Sequence, residues 1–138
     1  MNLKFKLLHP HAKPPTRGTV GAAAMDLYAC ESITIYPMNH DIVDVGVGFE
    51  IPSGFFGLVA QRSGLASRGI DIFGGIVDSD YRGAVKAFLF NGSDAPWSIS
   101  VGDRIAQMVI LPHACPSLIE GELGETERGD KGLGSTGK

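Results

Sequence analysis

The sequence predicts an all-β domain, and three observations carry that prediction. Glycine accounts for 19 of 138 residues and proline for 8, a glycine share about twice the usual ~7% and the mark of a turn-dense chain. Apolar residues alternate with polar ones over short runs, the period of a half-buried strand rather than of a helix. Most of these runs are bounded by Gly, Pro, Asn or Asp, residues that supply the backbone angles of turns.

The chain opens with Leu3, Phe5 and Leu7 alternating with Lys4 and Lys6, which predicts a strand with one buried face. Further extended segments are predicted over residues 26–30, 33–36, 42–51, 56–61, 84–90, 98–100 and 104–111. Their spacing suits a sandwich or small barrel. The best helical candidate is the stretch 63–67, Ser-Gly-Leu-Ala-Ser, at most about a turn. After Pro116 the character changes: Glu120, Glu122, Glu125 and Glu127 precede a glycine-rich end from Arg128 to Lys138. This divides the chain into a body, 1–116, and a tail, 117–138, with no core face of its own. Such a tail either frays or orders over a ligand.

Length and composition exclude several function classes. At 138 residues one domain is expected, and 43% hydrophobic against 20% charged residues is too apolar for a disordered chain. The net charge of −3 offers no extended basic face to nucleic acid or to an acidic membrane. No apolar run reaches membrane-spanning length, and residues 1–8 do not read as a signal peptide. Cys30 and Cys115 are the two cysteines, too few for a disulfide framework, so a reducing, cytoplasmic setting is expected. His9, His11, His40 and His113 are scattered and read as loop histidines rather than a metal site.

Three clusters could carry chemistry. Residues 132–138 match the Gly-x-x-x-x-Gly-Lys of a phosphate loop, but without the Ser or Thr and the helix that the motif needs. What remains is a set of glycine N–H groups with the Ser135 and Thr136 hydroxyls, able to wrap phosphate oxygens beside Arg128 or Lys138. Residues 74–83, Gly-Gly-Ile-Val-Asp-Ser-Asp-Tyr-Arg-Gly, hold two carboxylates two positions apart. A calcium loop is excluded, because Arg82 and Leu89 would occupy ligand positions. Asp78 and Asp80 could activate a nucleophile or bind Mg²⁺ through water; equally, the segment could be a turn with an Asp paired to Arg82. Residues 61–66, Gln-Arg-Ser-Gly-Leu-Ala, offer a guanidinium, a hydroxyl and backbone N–H groups. That is an anion site or an ordinary capped loop.

Taken in order, five blocks resemble the homotrimeric all-β dUTPase family, the deoxyuridine 5′-triphosphate nucleotidohydrolases. They are Ala-Ala-Met-Asp-Leu-Tyr-Ala at 23–29, Arg-Ser-Gly-Leu-Ala at 62–66, Gly-Ile-Val-Asp-Ser-Asp-Tyr-Arg-Gly at 75–83, Gly-Asp-Arg-Ile-Ala-Gln-Met at 102–108, and Arg-Gly through Gly-Ser-Thr-Gly at 128–137. The resemblance implies a jelly-roll-like β-barrel of the dUTPase β-clip type, a homotrimer, and a C-terminal arm, 117–138, that closes over an active site. It implies hydrolysis of dUTP to dUMP and pyrophosphate with Mg²⁺.

By the same resemblance each block takes a role. Asp78 matches the carboxylate that activates the water attacking the α-phosphorus. Tyr81 matches the ring that packs on the deoxyribose and leaves no room for a 2′-hydroxyl. Uracil would be read by main-chain groups of a hairpin, about Ile72, Gly75, Ile76 and Val77, and by the next strand near Lys86. Arg62, Ser63, Gly64 and Gln107 match phosphate contacts. Arg128, Leu133, Gly134 and Ser135 match the closing arm. Asp26 and Asp80 would organise charge near the metal, Asp26 indirectly through water. Leu133 stands where the family arm carries an aromatic, Gln61 where it commonly has Pro, and the interval from Gly64 to Gly75 is short. The competing readings are a dCTP deaminase or bifunctional relative, and a trimeric regulatory protein that retains the fold.

Overall fold

The computed structural model describes residues 1–132. In chain order the elements are β1 (Lys4–Leu7), β2 (Met25–Tyr28), β3 (Ile33–Ile35), β4 (His40–Asp44), β5 (Val47–Glu50), β6 (Phe55–Ala60), α1 (Ser63–Ala66), β7 (Ile70–Phe73), β8 (Ile76–Val77), β9 (Lys86–Asn91), β10 (Trp97–Ile99) and β11 (Arg104–Pro112). The all-β expectation holds, with α1 a single turn where a turn was expected. Four antiparallel sheets form: β1-β5, β3-β10, β4-β9-β7 and β2-β11-β6-β8.

These sheets are not closed into a barrel, which corrects that part of the expectation. Glycines with left-handed backbone interrupt the ladders and hand the chain from one sheet to the next. Gly46 (φ +68°) splits the predicted run 42–51 into β4 and β5, which belong to different sheets. Gly74 (φ +70°) and Gly75 (φ +111°) do the same between β7 and β8. The expected hairpin at 72–76 is therefore a crossover: β7 pairs with β9, and β8 with β6.

The alternation read in the sequence sends one side of most strands into a common core. Met25 and Leu27 of β2, Val59 of β6, Ala87 and Leu89 of β9, and Ile105, Ala106 and Met108 of β11 are all buried in it. A register shift between Arg104 and Ala106 lets the consecutive residues Ile105 and Ala106 both point inward, as a bulge allows. The buried polar residue Asn91 is fully satisfied. Its Nδ2 donates to the Ile35 carbonyl (2.8 Å) and the Ala95 carbonyl (2.9 Å), while its Oδ1 accepts from the Ser93 N–H (3.0 Å) and Oγ (2.6 Å). Asn91 thus ties β9 to β3 without an orphaned donor.

β1 departs from expectation. All four of its residues are exposed, Phe5 and Leu7 included. The strand pairs only with β5, so its apolar side gains an edge partner but no layer above it. Residues 113–132 form no strand, and Leu118, Ile119 and Leu123 stand almost wholly exposed. Among the described residues no helix is long and apolar enough to cross a membrane.

Candidate active site

The glycine pair between β7 and β8 sets the geometry of the first cluster. A Cβ on Gly75 would overlap the Val59 carbonyl, and the Val59 N–H donates to the Gly75 carbonyl at 2.7 Å. Only glycine permits this approach at positive φ. It presses the chain entering β8 against β6 and fixes the start of the acidic turn that follows.

That turn begins at Asp78, whose carbonyl accepts from the Tyr81 N–H at 3.2 Å. The Arg82 guanidinium folds back over it, donating from Nη1 to the Ser79 carbonyl (2.7 Å) and the Tyr81 carbonyl (3.1 Å). Tyr81 lies against Gly83, where a Cβ would overlap its ring, and its Oη donates to the Ala84 carbonyl at 3.1 Å. The ring is therefore pinned at both ends of the loop. Among the described residues, the carboxylates of Asp78 and Asp80 have no hydrogen-bond or ion-pair partner, so the alternative of an Asp–Arg82 pair is not what forms.

Asp78 and Tyr81 line a groove with Gly75, Ile76, Val77 and Lys86. Six residues singled out from sequence thus meet in one place. Val59, Ala84, Val85 and Phe88 complete the lining and escaped the sequence reading. Phe88 carried a usable signal: it sits two residues from Lys86 on the exposed face of β9, an aromatic where the strand pattern calls for a polar residue. The groove measures about 210 Å³, below the ~300–1,000 Å³ of a self-sufficient small-molecule pocket. Ile72 does not line it; half-buried opposite Leu89, this side chain packs on the core.

The second cluster lies in a separate groove. Asp26, Arg62, Arg104 and Gln107 line it, with no residue shared with the first. Asp26 Oδ1 accepts from Arg62 Nε at 2.9 Å and Oδ2 from Arg104 Nη1 at 3.3 Å. Both oxygens of Asp26 thereby accept from guanidinium groups, so Asp26 anchors the two arginines. Arg104 was missed in the sequence as the second partner. Gln107 Nε2 donates to the Gln61 carbonyl at 2.9 Å, holding the segment that leads into α1. Arg62 caps α1 with extended backbone (φ −86°, ψ 135°), and Ser63 and Gly64 follow, exposed on the turn. Among the described residues no three His, Cys, Asp or Glu side chains come together as a metal cage. Arg128 lies in neither groove, and its Nε donates to the Lys131 carbonyl at 3.1 Å. Leu133, Gly134 and Ser135 lie outside the described residues.

Among the described residues the fold displaces one titration. Burial pushes the Cys30 thiol above its ordinary range, helped by the neighbouring Asp44 and Glu31 carboxylates. The cause is local to the core and separate from both grooves.

Comparison with known proteins agrees with the block pattern. The dUTPase family model matches residues 10–137. The deoxyuridine 5′-triphosphate nucleotidohydrolase of Yarrowia lipolytica is 43% identical over 141 residues, spanning 99% of this chain and 90% of that protein. Among solved structures, the dUTPase of Staphylococcus bacteriophage 80alpha with dUpNHpp aligns at TM-score 0.91 and 29% identity, over 99% of each chain. A mutant dUTPase from phage phi11 of S. aureus, described for its coordination of a structural Mg(II) ion, aligns at TM-score 0.83 and 26% identity, over 89% of this chain and 98% of that one. With its β-clip architecture, the chain belongs to the dUTPase family.

Proposed function

We propose that this chain hydrolyses dUTP to dUMP and pyrophosphate as a dUTP diphosphatase. The observation that carries the reading is the Asp78–Tyr81 groove: a carboxylate unpaired among the described residues and a pinned aromatic ring, set beside exposed backbone in a member of this family. Asp78 acts as general base, taking the proton of the water that attacks the α-phosphorus, a role worth ~10²–10⁴ in rate. Tyr81 packs on the deoxyribose and excludes a 2′-hydroxyl. Main-chain groups of Gly75, Ile76 and Val77, with the start of β9 at Lys86, read the uracil edge. Their donor and acceptor order is fixed by the backbone, so cytosine would leave buried groups unpaired, a penalty that can reach ~10⁴–10⁵ in discrimination.

Arg62, Ser63, Gly64 and Gln107 bind the phosphates, with Asp26 holding Arg62 in orientation. A chain of net charge −3 needs such local neutralisation to capture a triphosphate. Since the described residues build no carboxylate cage, their chemistry suits a Mg²⁺ carried mostly by phosphate oxygens and water. When bound there, the ion would neutralise charge on the triphosphate and on the departing pyrophosphate.

Two features support a homotrimer with composite sites: the base-side groove is too small to enclose a nucleotide, and the phosphate-side residues line a different groove of the same protomer. The exposed segment 117–132 supports an arm that reaches another subunit, with Arg128, Leu133, Gly134 and Ser135 closing on the nucleotide. Unpaired Cys30 and Cys115 suit a reducing cytoplasm. The test is incubation with Mg²⁺ and dUTP, dTTP, dCTP or UTP in turn, with pyrophosphate and ammonia measured. Pyrophosphate from dUTP alone is the expected result. Ammonia from dCTP, or no turnover of any nucleotide, would overturn the reading.

A further inference from the structure

Arg82 makes an unexpected choice of partners. It follows a turn bearing two carboxylates, Asp78 and Asp80, yet among the described residues it pairs with neither. Its Nη1 donates instead to the Ser79 carbonyl (2.7 Å) and the Tyr81 carbonyl (3.1 Å). Those carbonyls belong to the turn that the Tyr81 N–H closes onto the Asp78 carbonyl at 3.2 Å. The backbone closes the turn from within, and the guanidinium clamps it from outside. Arg82, Asp78 and Tyr81 are all exposed, so water could serve the same carbonyls without the rotamer entropy lost in folding back a long side chain. What water cannot do is hold two carbonyls at a fixed separation.

We infer that Arg82 is a positioning residue for Asp78, a step that rests on the reading of Asp78 as general base. The clamp gives the 78–81 turn one conformation, aiming the Asp78 carboxylate into the groove, while the Tyr81 ring is held separately by Gly83 and the Ala84 carbonyl. By directing its donors to carbonyls, Arg82 also leaves the carboxylate unpaired and able to take a proton. An ion pair with Asp78 would have lowered its basicity.

Steady-state hydrolysis of Mg²⁺–dUTP and binding of the analogue dUpNHpp, measured on the full chain, test the inference. Arg82→Ala is expected to lower kcat by about 10–100-fold, the scale of a misplaced reacting group, with KM and analogue affinity within about threefold of wild type. Arg82→Lys is expected to recover most of the loss, because an ammonium can donate to both carbonyls. Melting curves and sedimentation report whether each variant folds and assembles; if Arg82→Ala does not, the Lys variant carries the test through its kcat alone. Unchanged kcat in Arg82→Ala, a parallel loss of kcat and analogue affinity, or a folded Lys variant as slow as one lacking Asp78 would overturn it. Wild-type protein inert toward dUTP would instead defeat the underlying reading of the activity.

Discussion

Replacing Asp78 with Asn removes one negative charge and almost nothing else, because the folded chain gives that carboxylate no hydrogen-bond or ion-pair partner among the described residues. The fold should therefore be indifferent. An exposed substitution of this kind changes stability by within about ±0.5 kcal/mol, and the turn keeps its backbone closure through the Tyr81 N–H. Catalysis should respond very differently. Losing a general base costs ~10²–10⁴ in rate, or about 3–5 kcal/mol of transition-state stabilisation at ~1.36 kcal/mol per tenfold. The mismatch between these two magnitudes is the signature of a base. Pyrophosphate release from dUTP measures one quantity, and urea unfolding of the same preparation the other. Affinity for dUpNHpp should stay near the wild-type value, since Asp78 acts on water rather than on the nucleotide. A variant retaining kcat within about tenfold of wild type would refute the assignment, placing the base outside the contribution expected of one. A variant that lost several kcal/mol of stability would show that the carboxylate has a structural partner after all.

Three further outcomes are expected. Asp26→Asn should destabilise the fold by about 1–3 kcal/mol, because Arg62 and Arg104 lose a shared anion that is only 14% exposed in its side chain; a change near zero in urea unfolding would mark the cluster as a surface ion pair. Gly75→Ala should cost about 1–3 kcal/mol from its positive φ and more from overlap with the Val59 carbonyl, whereas Gly74→Ala, also at positive φ, meets open space and carries the backbone cost alone; equal losses in the two variants would contradict that account of the crossover. The raised Cys30 thiol makes the folded chain hold its proton where the unfolded chain releases it. Stability is thus fully present below about pH 8.5, the ordinary thiol value, and declines as pH rises through it toward the folded-state value. Cys30→Ala should flatten that alkaline decline, and the same slope in both proteins would exclude Cys30 as its source.

Strand positions were legible because most strands bury one face, and the period-two pattern records that burial directly. The boundaries were less legible where backbone angles, not side chains, decide. The run 42–51 is apolar enough to read as a single strand, yet Gly46 adopts φ +68° and sends its two halves to different sheets. A lone glycine announces permission for such a turn, not its use. Gly75 uses its freedom for a close backbone approach against Val59. The expectation of a paired hairpin failed because pairing depends on which strand lies nearest in three dimensions. Along β9, Phe88 shows the converse limit: its exposure breaks the strand pattern at the wall of the groove, where local rules are expected to give way to function.

The same distinction explains what the sequence resolved about the site. Asp78, Tyr81 and Gly75 share one short block, so local backbone geometry alone brings them together. Arg62 and Gln107 lie in separate blocks, and the chain joins them through Asp26 and the β2-β11-β6 ladder. Those two sets end in different grooves of one protomer, although a nucleotide carries its base and its phosphates on a single molecule. This separation is the observation behind the composite site proposed above. The apolar side chains left uncovered on β1, and Leu118, Ile119 and Leu123 beyond β11, suit the assembly proposed above, because contiguous exposed apolar surface commonly marks an interaction site.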